Sequence, residues 1–339
     1  MQLNRTILPW LLFLLPGCMT TNHMVRFEVL EPAEITFPGE VRQLLVMDRL
    51  PLAHHLMDSV SMATLGRTDY LGLDTLVSYS IYRGLWDRMR QSPVKSHNWP
   101  RWDSERQSDI LASKDVKLTK KEVSDLCRAN ASDAVVCLES FLLKIRLEDT
   151  VYVQRQKGIR RPRYKGVLTS HWAIYLPDHP KPYRERTIKD SLEHWVGAGG
   201  MNVHDVVRRL SWNHGQRFGE QVTPVWKRTT RKIYSGSHRT LQDASMNTRK
   251  GNWDQAFNQW TQLAESGTRI ERTKAMYNLA VYYELEDRLD STAALIVRAS
   301  QLHETPLILE YKKEIERRLQ NRESIQRQVD GGAIQDRLR

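Results

Sequence analysis

The sequence predicts an α+β fold, a mixed β-sheet with packed helices followed by a wholly helical C-terminal region. Three observations carry that expectation. Val135, Val136, Leu138, Phe141, Leu143, Ile145 and Leu147 make Ala134–Leu147 the strongest strand signal in the chain. Apolar residues at helical spacing over Leu73–Met89 stand ahead of it, so helices and strands are interleaved in the first half. From Met201 onward the apolar period lengthens to that of a helix and mostly keeps it to about residue 322.

Taken in order, Val25–Leu30 reads as a strand that Glu31-Pro32 breaks. Phe37-Pro38-Gly39 turns the chain into Val41–Met47, a largely apolar run typical of a buried strand. Leu76, Val77, Tyr79, Ile81, Tyr82, Leu85 and Met89 mark the helix over Leu73–Met89. Near Thr119–Ala129, Val123, Leu126 and Cys127 share one helical face, and Asn130 and Ser132 suit the stop. After the central strand come Val167–Leu176 and Arg184–Trp195, a meander turned by Pro177, Pro180 and Pro182. Val203, Val206, Val207 and Leu210 begin an amphipathic helix running towards Pro224, and Val225–Tyr234 reads as a final strand.

The N-terminus is of another kind. Arg5 precedes an apolar stretch from Ile7 to Leu15, far short of the roughly 20 residues a spanning helix needs. It fits a signal-peptide core. Leu15-Pro16-Gly17-Cys18 resembles the bacterial lipobox, from which only Pro16 departs. The resemblance implies cleavage after Gly17 and acyl chains on Cys18, the two-signal requirement for stable anchoring. Met19 in place of Asp implies outer-membrane sorting, and the lack of an acidic run after Cys18 implies a body facing the periplasm.

In the helical region, Gly251-Asn252-Trp253 with Ala256, Trp260 and Leu263 is echoed 36 residues on by Asp287-Arg288-Leu289 with Thr292, Ile296 and Ala299. Leu279, Ala280 and Tyr283 precede the second copy. The layout resembles tetratricopeptide units, in which small residues let paired helices approach closely. The resemblance makes Lys274, Tyr277 and Glu284 a candidate partner groove, while acids such as Glu284 and Glu286 are most simply solvated. Pro306–Leu319 is a candidate capping helix. The domains expected are thus 1–17, signal peptide; 18–24, lipidated tether; 25–200, α/β domain; 201–236, connecting helix and final strand; 237–322, tetratricopeptide-like helices; and 323–339, tail.

No Gly-x-Ser-x-Gly elbow, phosphate-binding glycine loop or His-Glu-x-x-His helix occurs, so no catalytic residue and no cofactor is expected. Gly197–Gly200 reads as a loop, and His54-His55 with Asp58 as a surface group, not a metal site. Cys127 and Cys137 are open to two readings, a disulfide or two small apolar residues under one sheet. The formal net charge is +11, which favours anionic partners. Its densest part is Arg155, Lys157, Arg160, Arg161, Arg163 and Lys165, a hairpin tip without an acid and a candidate contact for an anionic surface. In the periplasm that surface is lipid and not nucleic acid.

Over nearly the whole mature chain the sequence resembles an uncharacterised family of Bacteroidetes lipoproteins that joins an α/β domain to tetratricopeptide-like helices. The lipobox at Cys18, the turn Phe37-Pro38, Ala131–Val136, Trp172–Tyr175, Trp195 and Pro224, Trp226, Arg231 and Tyr234 carry the likeness. More distantly, the α/β part is similar to the TolB amino-terminal domain and to curli secretion channel subunits. The expectation is a non-catalytic envelope adaptor with an unknown envelope protein as partner. The alternatives are an oligomeric secretion or pore-associated subunit and an envelope hydrolase.

Overall fold

The computed structural model describes residues 22–38, 41, 43–49, 73–93, 117–154, 157–196, 202–236 and 238–330. The lipobox, His54, His55, Asp58 and Gly197–Gly200 lie outside the described residues. The described elements are β1 (Asn22–Glu31), β2 (Leu44–Asp48), α1 (Leu73–Arg90), α2 (Lys120–Asn130), β3 (Ala134–Gln154), β4 (Lys157–Tyr175), β5 (Arg184–Trp195), α3 (Val203–Val222), β6 (Val225–Tyr234), α4 (Arg239–Arg249), α5 (Trp253–Ser266), α6 (Arg269–Leu285), α7 (Leu289–Leu302) and α8 (Pro306–Asp330). The class is α+β. The chain forms two compact units, one from the residues up to Val29 with Arg228–Gln320, the other from Leu30–Lys227 with the residues from Asn321.

The second of these units holds a four-stranded sheet in the order β2-β3-β4-β5. β2 runs parallel to β3, and β3, β4 and β5 form an antiparallel meander. Both faces of the sheet are apolar, and along β3 the residues that meet one core change phase. Val136 and Leu138 face the same core as Phe141, Leu143 and Ile145, although the parity changes between them. A bulge makes this possible: Leu138 pairs with Trp172 and Ser140 with His171, leaving Glu139 as the extra residue. Helices α1 and α3 cover this face with Val77, Ile81, Leu85, Val206, Leu210 and Phe218, and Phe218 stacks on Trp172. The other face packs Val135, Cys137, Ala173 and Tyr175 under Val123 and Cys127 of α2. Both cysteines are free, and burial raises the pKa of each thiol. The second of the two sequence readings is therefore the observed one.

Helix α2 starts on a capping box, with the Thr119 side chain accepting from Glu122 N–H and Glu122 returning to the Thr119 N–H. It stops at Ala131, which takes a left-handed φ of 48°, between the Asn130 and Ser132 that the sequence singles out. Helices α1 and α3 cross at glycines: a Cβ on Gly84 would lie 1.9 Å from Trp212 O, and one on Gly215 would lie 1.8 Å from Ile81 O. Helix α3 is therefore part of this core, not the connector that the sequence suggests. Helix α8 also runs to Asp330, through much of the expected tail. Near its end Gln328 serves as a surrogate strand, accepting from Ala33 N–H at 2.9 Å and donating to Ala33 O at 3.0 Å.

In the first unit β1 pairs with β6 as a two-stranded sheet, correcting its assignment to the α/β domain. Helices α4 to α7 pack each on the next. The 36-residue sequence echo is also an echo of backbone geometry. Gly251 and Asp287 both take positive φ, 81° and 53°. The residues after them, Asn252 and Arg288, share φ/ψ values of −83°/63° and −91°/65°, and each opens a 14-residue helix. Ala256 and Thr292 then occupy matching, fully buried places.

Candidate functional site

Two buried polar systems stand out, one in each unit. In the sheet unit, Ser170 on β4 and Asp190 on β5 have the parity of the apolar face, each two positions from Trp172 and Ile188 respectively. His214 falls on the buried stripe of α3, between Leu210 and Phe218. Ser170 Oγ lies 2.5 Å from His214 Nε2, and His214 Nδ1 lies 2.5 Å from Asp190 Oδ2, off the line of an ideal hydrogen bond. Arg217 holds the other carboxylate oxygen of Asp190. Trp172 Nε1–H donates to Ser170 Oγ at 2.8 Å. Proton bookkeeping then sends the Ser170 hydroxyl proton to Nε2 and leaves the imidazole proton on Nδ1, towards Asp190. Burial disfavours the Asp190 carboxylate, but His214 and Arg217 outweigh it and hold its pKa below the ordinary value.

The residue types and their order are those of an activated serine: nucleophile, base, orienting acid. The chemistry is closed off in this state. Ser170 is 1% exposed and His214 is 0% exposed, so an acyl group has no approach to Oγ. What the chain of bonds does here is tie α3 to β4 and β5. Sequence reading missed it because the three residues lie on three elements. The available signal was a histidine on an otherwise apolar helical stripe.

In the helical unit, the structure brings Lys274, Tyr277 and Glu284 onto one stripe of α6, but the stripe is not an open groove. Strand β6 covers it. Asn278 accepts from Tyr234 N–H at 2.9 Å and donates to Tyr234 O at 2.8 Å. The Lys274 ammonium lies over the Tyr234 ring, and Tyr277 packs edge-on against the same ring. Arg231 grips Glu284 with two bonds of 2.8 Å, while Tyr311 and Arg318 donate to Glu284 at 2.7 and 2.6 Å. The Glu284 side chain is wholly buried, not solvated. Burial works against the Arg231 charge, yet Glu284 outweighs it and raises the pKa. Tyr277 and Glu284 are thus core residues whose partner is the chain's own strand.

The expected free cations of the hairpin are in part paired. Arg163 bonds Glu193 at 2.7 Å and Glu148 at 3.2 Å, and Lys165 lies 3.9 Å from Glu193. The register supplies these acids, since Glu148 stands opposite Arg163 and Glu193 opposite Lys165. Arg155 and the side chains of Lys157, Arg160 and Arg161 lie outside the described residues, as does Cys18. Among the described residues no group of three or more His, Cys, Asp and Glu is placed to hold a metal, and no helix is long and apolar enough to cross a membrane.

Comparison with known proteins gives domains without an assigned role. No curated protein matches the chain. A solved structure, a neuraminyllactose-binding hemagglutinin homolog from Helicobacter pylori, aligns with a TM-score of 0.27 and 10% identity, covering 64% of this chain and 93% of that one. Residues 101–234 match the domain of unknown function DUF8603, which takes in α2, β3 to β5, α3 and β6. Residues 242–317 match a second domain of unknown function, DUF6340, so the chain is similar to one such domain through its sheet and to another through its helical pairs.

Proposed function

We propose that this chain is a non-catalytic adaptor of the bacterial envelope, anchored at the outer membrane through lipid on Cys18 and facing the periplasm. The observation that carries the reading is the 36-residue repeat of helical pairs, in sequence and in backbone geometry. We assign it to the tetratricopeptide class, whose stacked hairpins offer long surfaces to protein partners. With β6 on the α6 stripe, the partner surface lies elsewhere on these helices. Ile270 at the start of α6 and Val297 on α7 are apolar and exposed there.

A photo-crosslinking residue at position 270 or 297, in the native envelope, should join the chain to one discrete partner protein. Absence of any adduct at both positions overturns the adaptor reading. Cys18→Ser should release the chain from the membrane pellet; retention through a high-salt wash overturns the anchor.

A hydrolase is the second reading, and Ser170, His214 and Asp190 are the observation that favours it. A fluorophosphonate probe distinguishes the two. The adaptor reading expects no labelling of Ser170, and labelling that is lost in His214→Ala would replace it with the hydrolase.

A further inference from the structure

We infer that the helical unit rests on the membrane through one built surface, formed by the start of β1 and the last turn of α4, whose ligand is the anionic phosphate of lipid headgroups. The inference builds on lipidation at Cys18. Only Met19, Thr20 and Thr21 separate Cys18 from the first residue of β1. At about 3.3–3.6 Å per residue, that tether reaches at most about 14 Å from the lipidated cysteine. Whatever surrounds the start of β1 is therefore within reach of the headgroups.

What surrounds it is cationic and apolar together. The His23 ring lies against Thr248, with Nδ1 3.3 Å from Oγ1, which sets the start of β1 beside the end of α4. Burial and then the nearby charge of Arg249 lower the pKa of His23, which places Arg249 at the same junction. Arg249 and Lys250 are exposed, as is Arg26 on β1. None of the three has an ion pair among the described residues. Glu28 on the same strand is exposed; Asp243 on α4 is engaged by Arg239. The same two elements carry two exposed methionines, Met24 on β1 at 55% and Met246 on α4 at 48%. Flexible apolar side chains beside free cations suit the headgroup boundary, where the one enters the acyl edge and the other meets phosphate. The hairpin differs in this respect, because Arg163 and Lys165 already face Glu148 and Glu193.

The test uses the lipidated full chain reconstituted in vesicles of phosphatidylethanolamine and phosphatidylglycerol. An environment-sensitive dye is placed on Met246→Cys, with Val297→Cys as control. The native Cys127 and Cys137 are buried and do not compete for the dye. A headgroup-borne quencher should quench the dye at position 246 and spare the one at 297. Replacing Arg249 and Lys250 with Gln should weaken the docked state about fivefold per cation, as should phosphatidylcholine vesicles or added salt, while the melting temperature stays the same. Equal quenching at 246 and 297 in floating vesicles overturns the surface and leaves the anchor standing. Failure of the chain to float with the vesicles overturns both. A melting temperature that falls in the Gln variant, with quenching unchanged, assigns Arg249 and Lys250 to the helix terminus alone and overturns the surface.

Discussion

A carboxylate with no exposed surface needs donors around its oxygens, and Glu284 has four: two from Arg231, one from Tyr311 and one from Arg318. Glu284→Gln preserves the shape but removes the charge that two largely buried guanidinium groups share, leaving Arg231 with Glu314 at 3.6 Å and Arg318 with Asp287 at 3.5 Å. We expect a loss of about 3–5 kcal/mol, the range for breaking a buried pair, read as a fall in the denaturant midpoint. A midpoint within error of wild type would remove Glu284 from the core. Asp190 gives a pH-dependent counterpart. Its folded pKa lies below the ordinary value, so the stabilisation is present above the unfolded pKa of about 3.9 and is lost as pH falls through the folded value. The stability gap between wild type and Asp190→Asn should be widest at neutral pH and shrink in acid. A gap that grows on acidification contradicts the arrangement with His214 and Arg217.

Elements in this chain are joined by positions that admit no side chain or only a small one. A Cβ on Gly215 meets the Ile81 carbonyl oxygen at 1.8 Å, backbone against backbone, where no rotamer change gives relief. Gly215→Ala and Gly84→Ala should each cost about 1–3 kcal/mol or more by prying α1 from α3. Gly251 is a contrasting case. Nothing lies within 4 Å of its missing Cβ, and only its φ of 81° opposes substitution. Gly251→Ala should therefore cost about 1–2 kcal/mol, the strain of a left-handed residue. Thermal melts of the three variants check the ranking. A Gly251→Ala loss larger than both others would show that the crossing is looser than its distances imply. The same logic applies to Ala280 and Ala299, both fully buried between helices, where Trp should overpack the pairs.

At the scale of the whole molecule, each unit is assembled from segments far apart in sequence. Gln328, close to the end of α8, completes the hydrogen bonds of Ala33 and donates to Thr36 Oγ1 at 2.7 Å. Gln328→Ala leaves the Ala33 N–H and C=O without these partners, and a buried unsatisfied group costs about 1–3 kcal/mol. Amide hydrogen exchange at Ala33 should accelerate, with little change at Val206 in the core of α3. Unchanged exchange at Ala33 would mean that the end of α8 carries no such role.

The sequence by itself determined what is local. Periodicity placed the central strands, α1, α3 and the paired helices, because a buried face must recur every second residue in a strand and every third or fourth in a helix. The echo between Gly251 and Asp287 was legible because equivalent turns demand equivalent backbone angles. The stripe of Lys274, Tyr277 and Glu284 was legible as a face of α6, yet its occupant was not. Only the tertiary structure decided that β6 fills it, that β1 pairs with β6, and that α3 brings His214 to Ser170 and Asp190. The bulge at Glu139 is different, since the change of apolar parity from Val136 and Leu138 to Phe141, Leu143 and Ile145 lies within the strand itself. The physical reason is common to the other three. Pairing across long sequence separation is selected by complementary donors, acceptors and shapes on two distant segments, and a single segment carries only half of each match.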